Sequence, residues 1–150
     1  MNWEVVGIVL LALAALAWSE RRGPIPYRGR ACTGRAWRRA YPAAPKDQIR
    51  SFLLCFTDGM AFSSETKLKF HPNDQVLDVY RSIYGGRTPL GDHMECETFL
   101  ENVSREFGCR LESLLAVWHS EVTLGDLFAL AGAQQTVATD RREDAAPADG

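Results

Sequence analysis

The chain predicts an all-α fold: a small bundle of about four helices, with an extra short helix in its first loop, behind an amino-terminal membrane helix. Three observations carry this. Apolar residues recur at the three-and-four spacing of a helix face in several stretches between Ile49 and Ala131. Reciprocal capping signals stand at Asp92 with Glu95 and at Thr123 with Asp126. The run Val5 to Trp18 is apolar without a break. A length of 150 residues with 46% apolar content suits one small domain with appendages. The expected division is a membrane anchor over 1–18, a basic linker over 19–45, the helical domain over 46–132 and a disordered acidic tail over 133–150.

The amino-terminal run is bracketed by Trp3 and Trp18, which suit the two membrane interfaces, although it is shorter than the roughly 20 residues that usually span a bilayer. No positive charge precedes it and no small-residue cleavage site follows, so a retained anchor is favoured over a signal peptide. Arg21, Arg22, Arg28, Arg30, Arg35, Arg38 and Arg39 all come after it. Positive residues stay on the cytoplasmic side, which predicts a single-pass protein of the cytoplasmic (inner) membrane with its globular part in the cytoplasm.

The net charge of −2 conceals an asymmetry. Residues 19–50 hold nine Arg or Lys against Glu20 and Asp47, a net of +7, whereas residues 51–150 hold eight against sixteen acids, a net of −8. The stretch Glu20 to Pro45 shows no sustained apolar period and reads as a linker. Its seven arginines form a candidate membrane-surface patch, where each contributes about 1 kcal/mol near anionic lipid. Nucleic acid is not expected as a partner, because the acidic remainder repels phosphates and no recognition motif accompanies the patch.

Pro45 suits a first helical turn, and Ile49, Phe52, Leu53, Phe56 and Met60 repeat behind it at helical spacing. Ser63 to Phe70 is polar and reads as loop. Asn73 offers a cap for a short helix carrying Val76, Leu77, Val79, Tyr80, Ile83 and Tyr84, ended by Gly85 and Gly86. Asp92 to Phe107 holds the strongest helix signals: the capping box, then Cys96, Phe99, Leu100, Val103 and Phe107 on one face, then Gly108 as a left-handed stop. Leu111, Leu114, Leu115 and Trp118 mark a further short segment. The last helix opens on Thr123, with Val122 and Leu127 placed as a hydrophobic staple, buries Leu124, Leu127, Phe128 and Ala131, and is expected to stop at Gly132.

Cys32, Cys55, Cys96 and Cys109 have no paired short spacing, which predicts reduced, mostly buried thiols. His71, His93 and His119 have no local ligand pattern beyond His93 and Glu97 four apart, and two ligands do not close a zinc site. With no nucleophile, base or metal cluster visible, a non-enzyme is the expectation.

The order Pro89-Leu90-Gly91, a capped acidic helix ending Glu106-Phe107-Gly108, and Thr123-Leu124-Gly125-Asp126 resembles the acyl carrier protein family over roughly residues 46–132. In that family an Asp-Ser-Leu motif opens the second helix, and the ungapped match sets it on Asp92, His93 and Met94. The serine that would carry phosphopantetheine is replaced by His93, whose imidazole cannot form that phosphodiester. The resemblance therefore implies a carrier-like bundle that lacks the prosthetic group. It further implies that the second helix meets a protein partner with a basic surface through Asp92, His93, Met94, Glu95, Glu97 and Glu101.

The leading expectation is a membrane-anchored, non-catalytic docking or adaptor protein. One alternative is a working carrier of acyl or aminoacyl groups modified at another serine, such as Ser82, Ser104 or Ser113. The other is a membrane regulator acting through its arginine arm. Nothing in the sequence speaks to oligomeric state.

Overall fold

Phe52 stands at the centre of the buried core, and the helices are placed by what packs around it. The computed structural model describes residues 6–13, 25–84 and 94–144, and side chains within 6–13, 26–82 and 94–135. The described residues form helices α1 (6–13), α2 (Ile25–Arg28), α3 (Gly34–Ala40), α4 (Lys46–Gly59), α5 (Val76–Tyr84), α6 (Met94–Phe107), α7 (Leu111–Ala116) and α8 (Leu124–Asp144), with a 3₁₀ helix over Ser64–Lys69. The all-α expectation holds.

The α4 periodicity buries as read: Ile49, Phe52, Leu53, Phe56 and Met60 all lie in the core. So does that of α6, through Cys96, Phe99, Leu100, Val103 and Phe107. These two helices share the most extensive contact in the fold. Gly59 makes the approach possible, since a Cβ there would stand 2.5 Å from the Cα of Phe99. Phe52 meets Phe99, Phe107 and Phe128 edge-on at 5.3 to 6.1 Å between ring centroids, joining α4, α6 and α8.

Two helix ends are closed by left-handed residues. Gly108, at φ 64°, ends α6 as its sequence position suggests. Ala61 does the same for α4 at φ 55°, an unusual conformation for a residue with a Cβ. The Phe62 N–H donates to the Thr57 carbonyl at 2.7 Å and the Ala61 N–H to that of Asp58 at 3.0 Å, so the orphan carbonyls of the last turn are paired.

The basic segment is not the linker its composition suggested. Trp37 of α3 is fully buried, packs tilted against Phe52 and edge-on to Phe128, and donates its indole N–H to the Phe70 carbonyl at 2.8 Å. Tyr27 packs on Phe70, and Thr33 donates to the carbonyls of Leu68 and Phe70. Single large anchors on helices of four and seven residues leave no periodic trace. The loop expected over Ser63 to Phe70 is the 3₁₀ helix, capped by Ser63.

Asn73 is not the functioning cap of α5. That corner is held by Asp74, whose carboxylate accepts from the His71 N–H at 2.6 Å and lies 2.7 Å, through both oxygens, from one terminal nitrogen of Arg30. Residues 72–76 also run beside 122–125: Val76 donates to Val122, Leu124 to Asp74 and Gly125 to Pro72. Gly125 must be glycine for this approach, because a Cβ would meet the Tyr41 hydroxyl at 2.6 Å and the Pro72 carbonyl at 3.0 Å.

The Thr123 capping box forms as read, with the Thr123 N–H and hydroxyl donating to Asp126 and the Asp126 N–H returning to the hydroxyl at 3.1 Å. Val122 and Leu127 are both buried in the same cluster. Leu115, expected on the apolar side of its segment, is 48% exposed, while Leu114 takes the core position. The stop at Gly132 is overridden: α8 runs to Asp144, into the stretch expected to be a disordered tail. Gln135 accepts from Gln48 at 2.8 Å and Gln134 accepts from the Arg110 N–H at 3.1 Å, tying the helix down beyond the glycine.

Helix α1 exposes Ile8, Leu10, Leu11 and Leu13, and no helix among the described residues is long and apolar enough to cross a membrane. Gly85 and Gly86, the turn Pro89-Leu90-Gly91, and residues 1–5, 14–24 and 145–150 lie outside the described residues.

Replacing Trp37 with Ala is expected to destabilise the protein by about 3–5 kcal/mol, as for a core aromatic, where a linker residue would cost nothing measurable in urea unfolding. Gly59→Ala is expected to cost about 1–3 kcal/mol through overpacking against α6. Gly132→Ala should instead stabilise by about 0.5–1 kcal/mol, since its Cβ would find only the Gln48 side chain at 3.9 Å.

Candidate functional site

The sixth helix is held from beneath by its five core residues, and that fixes what it turns outward. Met94, Glu97 and Glu101 follow at three and four residues and share the side opposite Phe99 and Val103. All three are exposed, Met94 by 64%. Thr98 borders them and turns its hydroxyl back to the Met94 carbonyl at 2.7 Å. Arg105 continues the same side toward the carboxyl end, where a cation complements the helix dipole as the acids do at the amino end.

Of the residues the sequence nominated, the structure therefore brings Met94, Glu97 and Glu101 onto one face. Glu95 falls on a different side of the helix and is half-buried. Asp92 and His93 lie outside the described residues. The nominated serines are otherwise occupied: Ser82 donates to the Val79 carbonyl at 2.6 Å and Ser104 to that of Cys109 at 2.7 Å. Ser113 sits half-buried within α7.

The arginine set divides. Arg30 belongs to the fold, through Asp74 and through its guanidinium carbon 4.5 Å from the centre of the Tyr27 ring. Arg35, Arg38 and Arg39 are exposed on α3. Arg28 ends α2, and Arg21 and Arg22 lie outside the described residues.

Two of the surface depressions among the described residues bear on function, and neither was foreseen from the sequence. One, of 370 Å³, runs between α4 and α6 past Leu54, Cys55, Asp58, Asn102 and Glu106, with Asn102 donating to Asp58 at 3.1 Å. The other, of 620 Å³, lies where α3 faces the turn at His71 and Asp74. Each joins residues some forty positions apart, so no local spacing could announce it.

Cys32 is the exposed thiol, and the other three cysteines are half-buried or buried. Burial, followed by Glu106 and Asp58, pushes the Cys55 thiol up to about 11. Burial, followed by Glu95 and Glu97, pushes Cys96 up to about 12. Burial also raises Cys109, Tyr27 and Tyr41. Such groups are poor nucleophiles near neutrality. No group of three metal-ligating side chains occurs among the described residues.

No protein-family model, curated protein or solved structure matches the chain.

The raised thiols set a pH dependence of stability. Below the unfolded value of 9.0 both states keep the proton and the contribution of burial is complete. As pH rises from 9 through about 11 for Cys55 and about 12 for Cys96, the unfolded chain ionises first and the folded state loses ground. Urea midpoints are expected to fall between pH 8 and pH 10, and Cys55→Ala with Cys96→Ala should flatten the fall; equal slopes would contradict it.

Proposed function

We propose that the protein is a non-catalytic docking module of acyl-carrier-like design, which engages a partner protein with a basic surface through the acidic side of α6. The observation that carries this reading is the face itself: an exposed Met94 beside Glu97 and Glu101 on a helix fastened to the core along its whole length. Carboxylates so placed complement Arg and Lys across an interface and speed encounter, and a methionine adapts its shape to an apolar patch. Rigidity of the supporting helix reduces the ordering cost of association.

In this reading His93 takes the place of the attachment serine and the module carries no phosphopantetheine. The apolar amino-terminal run holds it at the cytoplasmic membrane, with the bundle on the cytoplasmic side. Capture by the partner would be direct, without a cofactor. A carrier loaded through Ser82 or Ser104 is disfavoured because those hydroxyls already donate to backbone carbonyls.

The test uses full-length protein solubilised from membranes. Partner recovery is expected to fall at least about tenfold in Glu97→Lys with Glu101→Lys, because like charges across an interface cost several kcal/mol and 1.4 kcal/mol is a factor of ten. A control reversing the exposed Glu112 and Glu121 should keep the partner, and both variants should retain the wild-type melting curve. Intact mass after co-expression with a phosphopantetheinyl transferase should be unchanged; a gain of the phosphopantetheine mass sinks the proposal.

A further inference from the structure

The groove between α3 and the turn at His71 and Asp74 has a charge imbalance that the fold does not use. It is an open depression of 620 Å³ lined by Arg30, Arg35, Arg39, Cys32, His71 and Asp74, with Ala31, Thr33 and Ala36 completing it. Asp74 is its one acid, and both oxygens of that carboxylate are already engaged by Arg30. Arg35 and Arg39 stand one turn apart on α3, exposed and without an ion pair among the described residues. His71 has its Nδ1 occupied by the Asn73 N–H at 3.1 Å, so in the neutral ring the proton rests on Nε2, which is left as a donor.

We propose that this groove binds a phosphate group, with Arg35 and Arg39 as paired guanidinium donors and His71 as a third. The geometry suits that chemistry: guanidinium forks match phosphate oxygens two at a time, and a dianion balances two cations where a single carboxylate would not. The backbone around the groove is held still, because Trp37 roots α3 in the core and Asp74 fixes the facing turn. A nucleic acid is the poorer occupant. Trp37 and Tyr27 are buried, leaving no Trp, Tyr or Phe ring in the groove for a base to stack on, and the chain after residue 50 carries a net −8 that repels a polyanion. The site is separate from the α6 face, contributes no residue to it, and stands whether or not that face docks a partner.

The exposed Cys32 thiol reports occupancy, since it lines the same groove. The measurement is the rate of Cys32 alkylation by iodoacetamide, read by peptide mass spectrometry on full-length protein. In neutral detergent, inorganic phosphate should slow it severalfold relative to chloride at equal ionic strength, and acetate should not. The slowing should vanish in Arg35→Gln with Arg39→Gln, and persist in Arg38→Gln with Lys46→Gln, which removes the same charge outside the groove. In phosphatidylcholine vesicles the rate should drop on adding phosphatidic acid if a lipid headgroup is the source. Shielding by free phosphate, by phosphatidic acid or by both supports the site and tells the source. Absence of shielding in both settings, equal shielding by acetate, or equal loss in the two double variants overturns it.

Discussion

The contact on which the rest depends is the aromatic cluster about Phe52. Its ring touches Trp37 from the basic segment, Phe99 and Phe107 from α6, and Phe128 from α8, so one side chain joins elements that are far apart in sequence. A second ring, Phe56, repeats this toward Phe62, Phe70 and Phe99. Edge-to-face pairs of this kind add roughly 0.5–1.5 kcal/mol each beyond the area they bury. Their directionality fixes how the helices cross, which burial alone does not.

A polar counterpart sits at Asp74. Its carboxylate holds Arg30 and the His71 amide, while its backbone carbonyl receives the amide of Leu124 at 3.0 Å. The basic segment, the first loop and the opening of α8 therefore converge on one residue. The Thr123 capping box and the bare Gly125 backbone complete that junction. The phrase Thr-Leu-Gly-Asp thus has a full structural account in a helix start and a close chain approach.

What could be read in advance follows from the kind of signal each element left. The long helices α4, α6 and α8 show three-and-four spacing because a broad face of each is buried, and the outward carboxylates of α6 follow from the same count. The basic segment hid because Tyr27 and Trp37 anchor it singly, amid arginines that suggest solvent. Gly132 misled because a stop signal is only local, whereas Gln134 and Gln135 hold the helix through side-chain bonds to distant partners. Ala61 gave no warning of its left-handed backbone, since alanine is normally a helix former. The groove beside α3 was invisible because folding alone brings His71 together with Arg35 and Arg39.

The burial of Trp37 also redraws where the autonomous unit begins. A fragment cut at Pro45 would bare the sides of Phe52 and Phe128 that the indole meets and the side of Phe70 that Tyr27 meets, and would leave the Phe70 carbonyl without its donors Thr33 and Trp37. The smallest piece able to fold by itself must then reach back past Tyr27, so the packed unit opens within the segment whose composition reads as a linker.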